Sequence, residues 1–85
     1  LQRPKLVVGF AAETNEIIKF AKEKKNKKNC DWIIANDVSS SEIGFNSEYN
    51  AVSIIYDNKV EKIEKNLKSY IANKIVKKII NNFIQ

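Results

Sequence analysis

Histidine is absent from this chain of 85 residues, cysteine occurs once and glycine twice. Without histidine there is no imidazole base, no Ser-His-Asp triad and no histidine metal ligand. The lone Cys30 cannot close an internal disulfide or build a zinc knuckle, and it fits a reducing compartment. Neither Gly9 nor Gly44 sits in a glycine-rich phosphate loop of the G-x-G-x-x-G or Walker A kind. The apolar runs are too short to cross a bilayer and no signal-peptide pattern appears, so no membrane partner and a cytoplasmic location are expected. Methionine is missing too, and Leu1-Gln2-Arg3-Pro4 reads as the lead into a strand from upstream sequence. A fragment or processed product is expected, with residues 1–85 the C-terminal portion of a single domain. A chain this short buries only about 60% of its unfolded surface.

What is abundant is lysine. The net charge is +5, with one cluster from Lys19 to Lys28 and a second from Lys59 to Lys78. Solvated helix faces explain most of these. The wealth of Lys, Asn and Ile also reads as genomic base bias, which weakens arguments from lysine number alone.

Hydrophobic periodicity divides the chain. Lys5 to Ala12 is nearly continuous apolar sequence with β-branched residues, the pattern of a strand buried on both faces. Thr14 or Asn15 can cap a following helix, with Glu16 in its first turn, running from about 15 to 28. Asn29 suits a left-handed terminator. Asp31 to Val38 reads as a second buried strand, and 39–44 as a loop of turn formers. Ala51–Tyr56 and Val60–Ile63 read as a hairpin, although Asp57-Asn58-Lys59 lacks the glycine that favours a tight turn. A terminal amphipathic helix covers about 66–83, with Leu67, Ile71, Ile75 and Ile79 in one row flanked by Ala72, Val76 and Phe83. The fold class is α/β: a Rossmann-like three-layer sheet fragment, order β-α-β-β-β-α, with an antiparallel edge hairpin.

Ligands of open α/β sheets collect at the carboxyl ends of the strands. There this sequence places Gly9, Phe10, Glu13, Asn36 and Asp37. Gly9 either relieves crowding or lets a ligand approach the backbone, and Phe10 either fills the core or stacks on a base. Lys24 and Lys28 share a helix side with Ile17 and Ala21, so the apolar stripe ends in two ammonium groups. Stacked four apart they repel unless an anion lies between them. Asp37 can hold a metal or ribose hydroxyl, Asn36 can donate to a carbonyl or phosphate, and either can cap a local turn. Gly44-Phe45-Asn46-Ser47-Glu48 fits a ligand-facing loop or a bulged lead into the next strand. Cys30 reads as a small apolar filler. No complete active site is visible.

Taken in order, Val8-Gly9-Phe10-Ala11-Ala12-Glu13-Thr14-Asn15, Ala21 with Lys24 and Lys28, Ala35-Asn36-Asp37-Val38-Ser39, and Gly44-Phe45-Asn46-Ser47 with Asn50 resemble phosphopantothenate–cysteine ligase. More narrowly, they resemble the C-terminal part of that synthetase half of the bacterial bifunctional coenzyme A biosynthesis flavoprotein. The resemblance covers residues 5–57 closely and the last helix loosely. It implies activation of 4′-phosphopantothenate by CTP, with Mg²⁺, to an acyl-cytidylate. Cysteine's amine then displaces CMP. By position it gives Phe10, Lys24 and Lys28 as nucleotide contacts, and Gly9, Asn36 and Asp37 as pocket residues.

Departures from the pattern qualify this. The glycine-rich βα turn and upstream lysine motif of such ligases lie outside these residues, and Glu48 stands where an aspartate is usual. The decarboxylase half is not represented, so FMN is not expected. Partners implied are the nucleotide, phosphopantothenate, the N-terminal ligase half or decarboxylase domain, and a second copy pairing an open sheet edge. The 85 residues alone are expected not to complete the ligation. A small basic module for RNA or DNA is the rival reading, and an inactive ligase remnant a third. One arginine and no aromatic–basic alternation on a strand count against nucleic acid.

Overall fold

The computed structural model describes residues 5–39, 43, 47–57 and 59–84. Strand β1 (Val8–Glu13) leads into helix α1 (Ile17–Lys27), then β2 (Trp32–Asp37), β3 (Tyr49–Tyr56), β4 (Lys59–Leu67) and helix α2 (Lys68–Ile84). The sheet runs β1-β2-β3-β4 in space. β1 pairs parallel with β2 across the α1 crossover, while β2–β3 and β3–β4 are antiparallel. The expected element order and hairpin edge are therefore present.

Alternation along the strands sends side chains to two separate cores. Trp32, Ile34, Val52, Ile54 and Ile63 meet Ile71 of α2, with Val8, Ile75 and Ile79 packed alongside. On the other face Ala11, Ile33, Ala35 and Ile55 meet Ala21 of α1, flanked by Ile17 and Ile18. Four isoleucines, Ile33, Ile34, Ile54 and Ile55, are fully enclosed. Each contributes about 1.5–3 kcal/mol by leaving water. β2 is buried on both faces, as its continuous apolar run predicts.

β1 differs from expectation. Its α1 side is covered, but Phe10 is 58% exposed on the other side and Ala12 is exposed beside it. The cause is the reach of α2, which packs on β3 and β4 and leaves the far side of β1 open. The phenylalanine is no core filler.

Helix boundaries also shift. Glu16, not Thr14 or Asn15, holds the N-cap position, with left-handed dihedrals (φ 41°, ψ 47°) and no side-chain capping bond. Residues 14–16 must turn the chain from the end of β1 onto the sheet face, and burial of Ile17 and Ala21 sets where the helix can begin. The first helical bond runs from Phe20 N–H to the Glu16 carbonyl at 3.1 Å. Asn29 takes the left-handed conformation foreseen for it (φ 54°).

β3 and β4 are longer than predicted. Three steps along β4 face two along β3 between the pairs Val52–Ile63 and Asn50–Asn66. This bulge carries β4 on to Leu67, which belongs to the strand and is largely exposed rather than starting the α2 row. Tyr56 pairs with Lys59, so two residues connect the hairpin. Asp57 supplies the positive φ (51°) that a glycine would otherwise provide.

Candidate functional site

Gly9 sits where β1 comes closest to the loop behind α1. A Cβ there would lie 2.8 Å from Cys30 Sγ and 3.1 Å from Ile33 Cδ1. Close packing thus accounts for this glycine, and Cys30 is the buried filler expected of it.

Further along β1, register separates the predicted contacts. Phe10 lies opposite Ile34 and Ala12 opposite Asn36. Since Ile34 faces α2, Phe10, Ala12 and Asn36 share that side of the sheet. Gly9, Glu13 and Asp37 face the α1 side. Phe10 and Lys24 are therefore on opposite sides of β1.

The Asn36 carboxamide is held from both directions. Its Nδ2 donates to the Ala11 carbonyl at 3.4 Å, and its Oδ1 accepts from Asn50 Nδ2 at 2.9 Å. Asn50 is steadied in turn by the Ala51 N–H donating to its Oδ1 at 2.9 Å. The paired carboxamides of Asn36 and Asn50 thus link β1, β2 and β3 on the sheet face that carries Phe10. From the residues alone Asn50 is only part of a motif, and its role emerges from strand register.

Asp37 behaves as a turn residue. Its Oδ1 accepts from both the backbone N–H (2.9 Å) and the hydroxyl (2.5 Å) of Ser39. Of the two readings offered for it, the local cap is the one observed. Gly44, Phe45 and Asn46 of the proposed ligand-facing loop lie outside the described residues.

On the α1 side, Lys24 Nζ lies 2.6 Å from Glu13 Oε1. Glu13 is only 7% exposed, and this oxygen has no well-angled hydrogen bond among the described residues. Proximity to the ammonium therefore supplies its compensation. Alternation could have revealed the pair, since Gly9, Ala11 and Glu13 share the face that α1 covers. Lys24 and Glu13, with Phe20, Glu23 and Lys27, line a cavity of about 430 Å³. Lys28 is not part of it. It lies one residue beyond α1, at the C-cap, and is exposed. The expected stack of two ammonium groups on one stripe is thus replaced by one lysine paired with a carboxylate and one in solvent. No group of three or more Cys, Asp or Glu is gathered for a metal ion among the described residues.

Residues 1–83 match the family model described as the DNA/pantothenate metabolism flavoprotein C-terminal domain. The chain belongs to that family. It is 36% identical over 77 residues to the coenzyme A biosynthesis bifunctional protein CoaBC of Escherichia coli (strain K12), covering 91% of this chain and 19% of that protein. With CoaBC of Haemophilus influenzae it shares 40% identity over 76 residues, covering 89% and 19%. A crystal structure of the C-terminal domain of CoaBC superposes with a TM-score of 0.73 at 30% identity, covering 96% of this chain and 39% of that one. The resemblance read from the ordered motifs and the α/β architecture both hold. The chain spans about a fifth of the length of these curated relatives. No helix among the described residues is long and apolar enough to cross a membrane.

Proposed function

We propose that this chain supplies part of the nucleotide pocket of a CTP-dependent phosphopantothenate–cysteine ligase acting in coenzyme A biosynthesis. The observation that carries the reading is Phe10: a large aromatic ring, mostly exposed, in the middle of a strand and on the same sheet face as the fixed Asn36 carboxamide. An exposed ring on a strand forfeits burial energy, and stacking a planar base would recover it. Asn36, held by Ala11 and Asn50, offers an oriented amide to the same volume.

Lys24 is the cationic element. Its ammonium lies on the other side of β1, so a ligand touching both it and Phe10 passes around the carboxyl end of β1. That route places the base against Phe10 and a phosphate near Lys24 and Lys27, where the cavity beside Glu13 opens. Lys28, exposed at the C-cap of α1, can approach the same phosphate from solvent. Mg²⁺ would accompany the triphosphate rather than occupy a protein cage, in line with how that ion is usually held. The chain's own residues bind and orient; the N-terminal half of such a ligase would complete the site. FMN has no place in this part.

A two-dimensional NMR titration with CTP and Mg²⁺, and ATP as control, tests the reading. Selective, saturable shifts at Phe10, Lys24 and Asn36, larger for CTP and lost in Phe10→Ala, are expected. Uniform shifts along both lysine-rich helices, or none near Phe10, would overturn it for this chain.

A further inference from the structure

We propose a second anion site, for a small oligophosphate such as pyrophosphate or triphosphate, in the cavity between the β3–β4 hairpin and the C-terminal half of α2. The cavity measures about 490 Å³ and is lined by Lys74, Lys77 and Lys78, with Glu61 and the carboxamides of Asn81 and Asn82. It is remote from the site above. The pair Trp32–Tyr56 marks its end of the sheet, about 17 Å along β2 from Asp37 at 3.3 Å per residue.

Helical geometry gathers the basic groups. Positions 74, 77, 78, 81 and 82 are spaced by three and four, so they form one ridge along α2. Lysines at i, i+3 and i+4 repel one another in the absence of a counter-charge. Lys78 is compensated: its Nζ is 3.3 Å from Glu61 Oε1, 4.2 Å from the Tyr56 ring centroid and 5.4 Å from that of Trp32. Lys74 lies over Tyr70 at 5.7 Å. Neither Lys74 nor Lys77 has a carboxylate partner among the described residues.

The result is a fixed wall, made of Lys78 clamped on two aromatic rings, and an unneutralised side, made of Lys74 and Lys77. Neither lysine lies in the last turn of α2, so the partial negative charge of that helix end, which fades within a turn, leaves them unneutralised. Volume narrows the ligand class. The cavity lies within the range of small-molecule sites. It cannot enclose a folded partner or a nucleic-acid duplex. Two or more linked phosphates, reaching from Lys74 and Lys77 to the carboxamide N–H groups of Asn81 and Asn82, match the ridge. Glu61 confines the anion to the lysine side.

The chain carries its own reporter, since Trp32 is its single tryptophan and touches the Lys78 wall. Titration of the full chain with inorganic triphosphate, followed by Trp32 fluorescence and by amide shifts, tests the proposal. Saturable shifts confined to 74–82 and the Tyr56–Glu61 region are expected, with at least tenfold weaker binding in Lys74→Gln/Lys77→Gln. Both lysines are solvent-facing, so the variant keeps the fold, and circular dichroism checks this. Equal affinity in the variant, shifts spread over α1 as well, or no saturation would overturn it. So would a single-stranded oligonucleotide of equal charge binding this ridge more tightly than triphosphate, with steep salt dependence.

Discussion

On its α1 side the sheet presents Ala11, Ile33, Ala35 and Ile55 to Ala21, with Gly9 close against Cys30, whereas on its α2 side it presents Trp32, Ile34, Val52 and Ile54 to Ile71. The first interface mixes small groups, Ala11, Ala35 and Ala21, with the enclosed Ile33 and Ile55, whereas the second is made of larger side chains throughout. The first buries Ala11 and Glu13 of β1, while the second reaches β1 only at Val8 and leaves Phe10 open. The sides therefore differ in what they tolerate. The α2 side should suffer most from deletion of atoms, and the small positions of the α1 side, Gly9 above all, from their addition.

The largest effect is expected on the α2 side. Ile54 is fully enclosed between β2, β4 and α2, and Ile54→Ala should cost about 2–5 kcal/mol. Against a typical total of 5–15 kcal/mol, this brings the chain close to unfolding. Chemical denaturation measures it, and a loss below that of Ile→Val would show that the α2 interface is loosely packed.

Addition on the α1 side comes next. Gly9→Ala places a methyl against Cys30 and Ile33 and should cost about 1–3 kcal/mol. The companion variant Gly9→Ala/Cys30→Ala removes the Sγ that stands nearest, so most of the loss should return. If the two changes simply add, the clash with Cys30 is not what makes Gly9 necessary.

These contrasts bear on how much of the molecule can be read from residues. β2, with apolar side chains at consecutive positions 32–35, announces burial on both faces. β1 has a similar run, yet its second face is covered at Val8 and open at Phe10, because the coverage depends on where α2 crosses the sheet. The start of α1 departs from the local pattern because Thr14 and Asn15 are good caps locally, while the packing of Ile17 and Ala21 decides the phase. The β4 bulge, which keeps Leu67 in the strand, has no local signature. In the site, Lys24 stood out through its place at the end of an apolar stripe. Glu13 stands out too, at a strand end, but its pairing with Lys24 requires joining the β1 alternation to the α1 stripe that covers the same face. Asn36 was noticed at a strand end, but the bond from Asn50 depends on strand register.

The Glu13–Lys24 pair tests whether the α1 side tolerates a charge without its partner. Losing one member of a buried pair costs about 3–5 kcal/mol. The Lys24 side chain is 42% exposed, so water would partly replace it, and Lys24→Met should cost about 1–2 kcal/mol. Glu13→Gln in the Lys24→Met background should recover most of that. Failure to recover would mean that the Lys24 stem, rather than its charge, supports β1. The variant also separates stability from ligand binding, since a loss of CTP shifts in a chain with restored stability isolates the cation's role at the nucleotide.

The smallest effect belongs to Lys78, on the α2 side, where an ammonium takes the place of a further apolar contact. Burial works to lower its pKa, but contact with Tyr56 and the Glu61 carboxylate together outweigh this, and the value stands above the ordinary 10.5. A raised folded-state pKa means that the stabilisation is fully present below the unfolded value and is lost as pH climbs through the folded one. Stability contributed by Lys78 should thus be constant from neutral pH to about 10 and decline above about 10.5. Because tyrosines titrate in the same window, the useful quantity is the difference between the parent chain and Lys78→Met at each pH. That difference should shrink only at the alkaline end. A difference that stays level through pH 11.5 would show that Lys78 holds α2 to the hairpin through its aliphatic stem on Tyr56 and Trp32, with the ammonium contributing nothing to the fold.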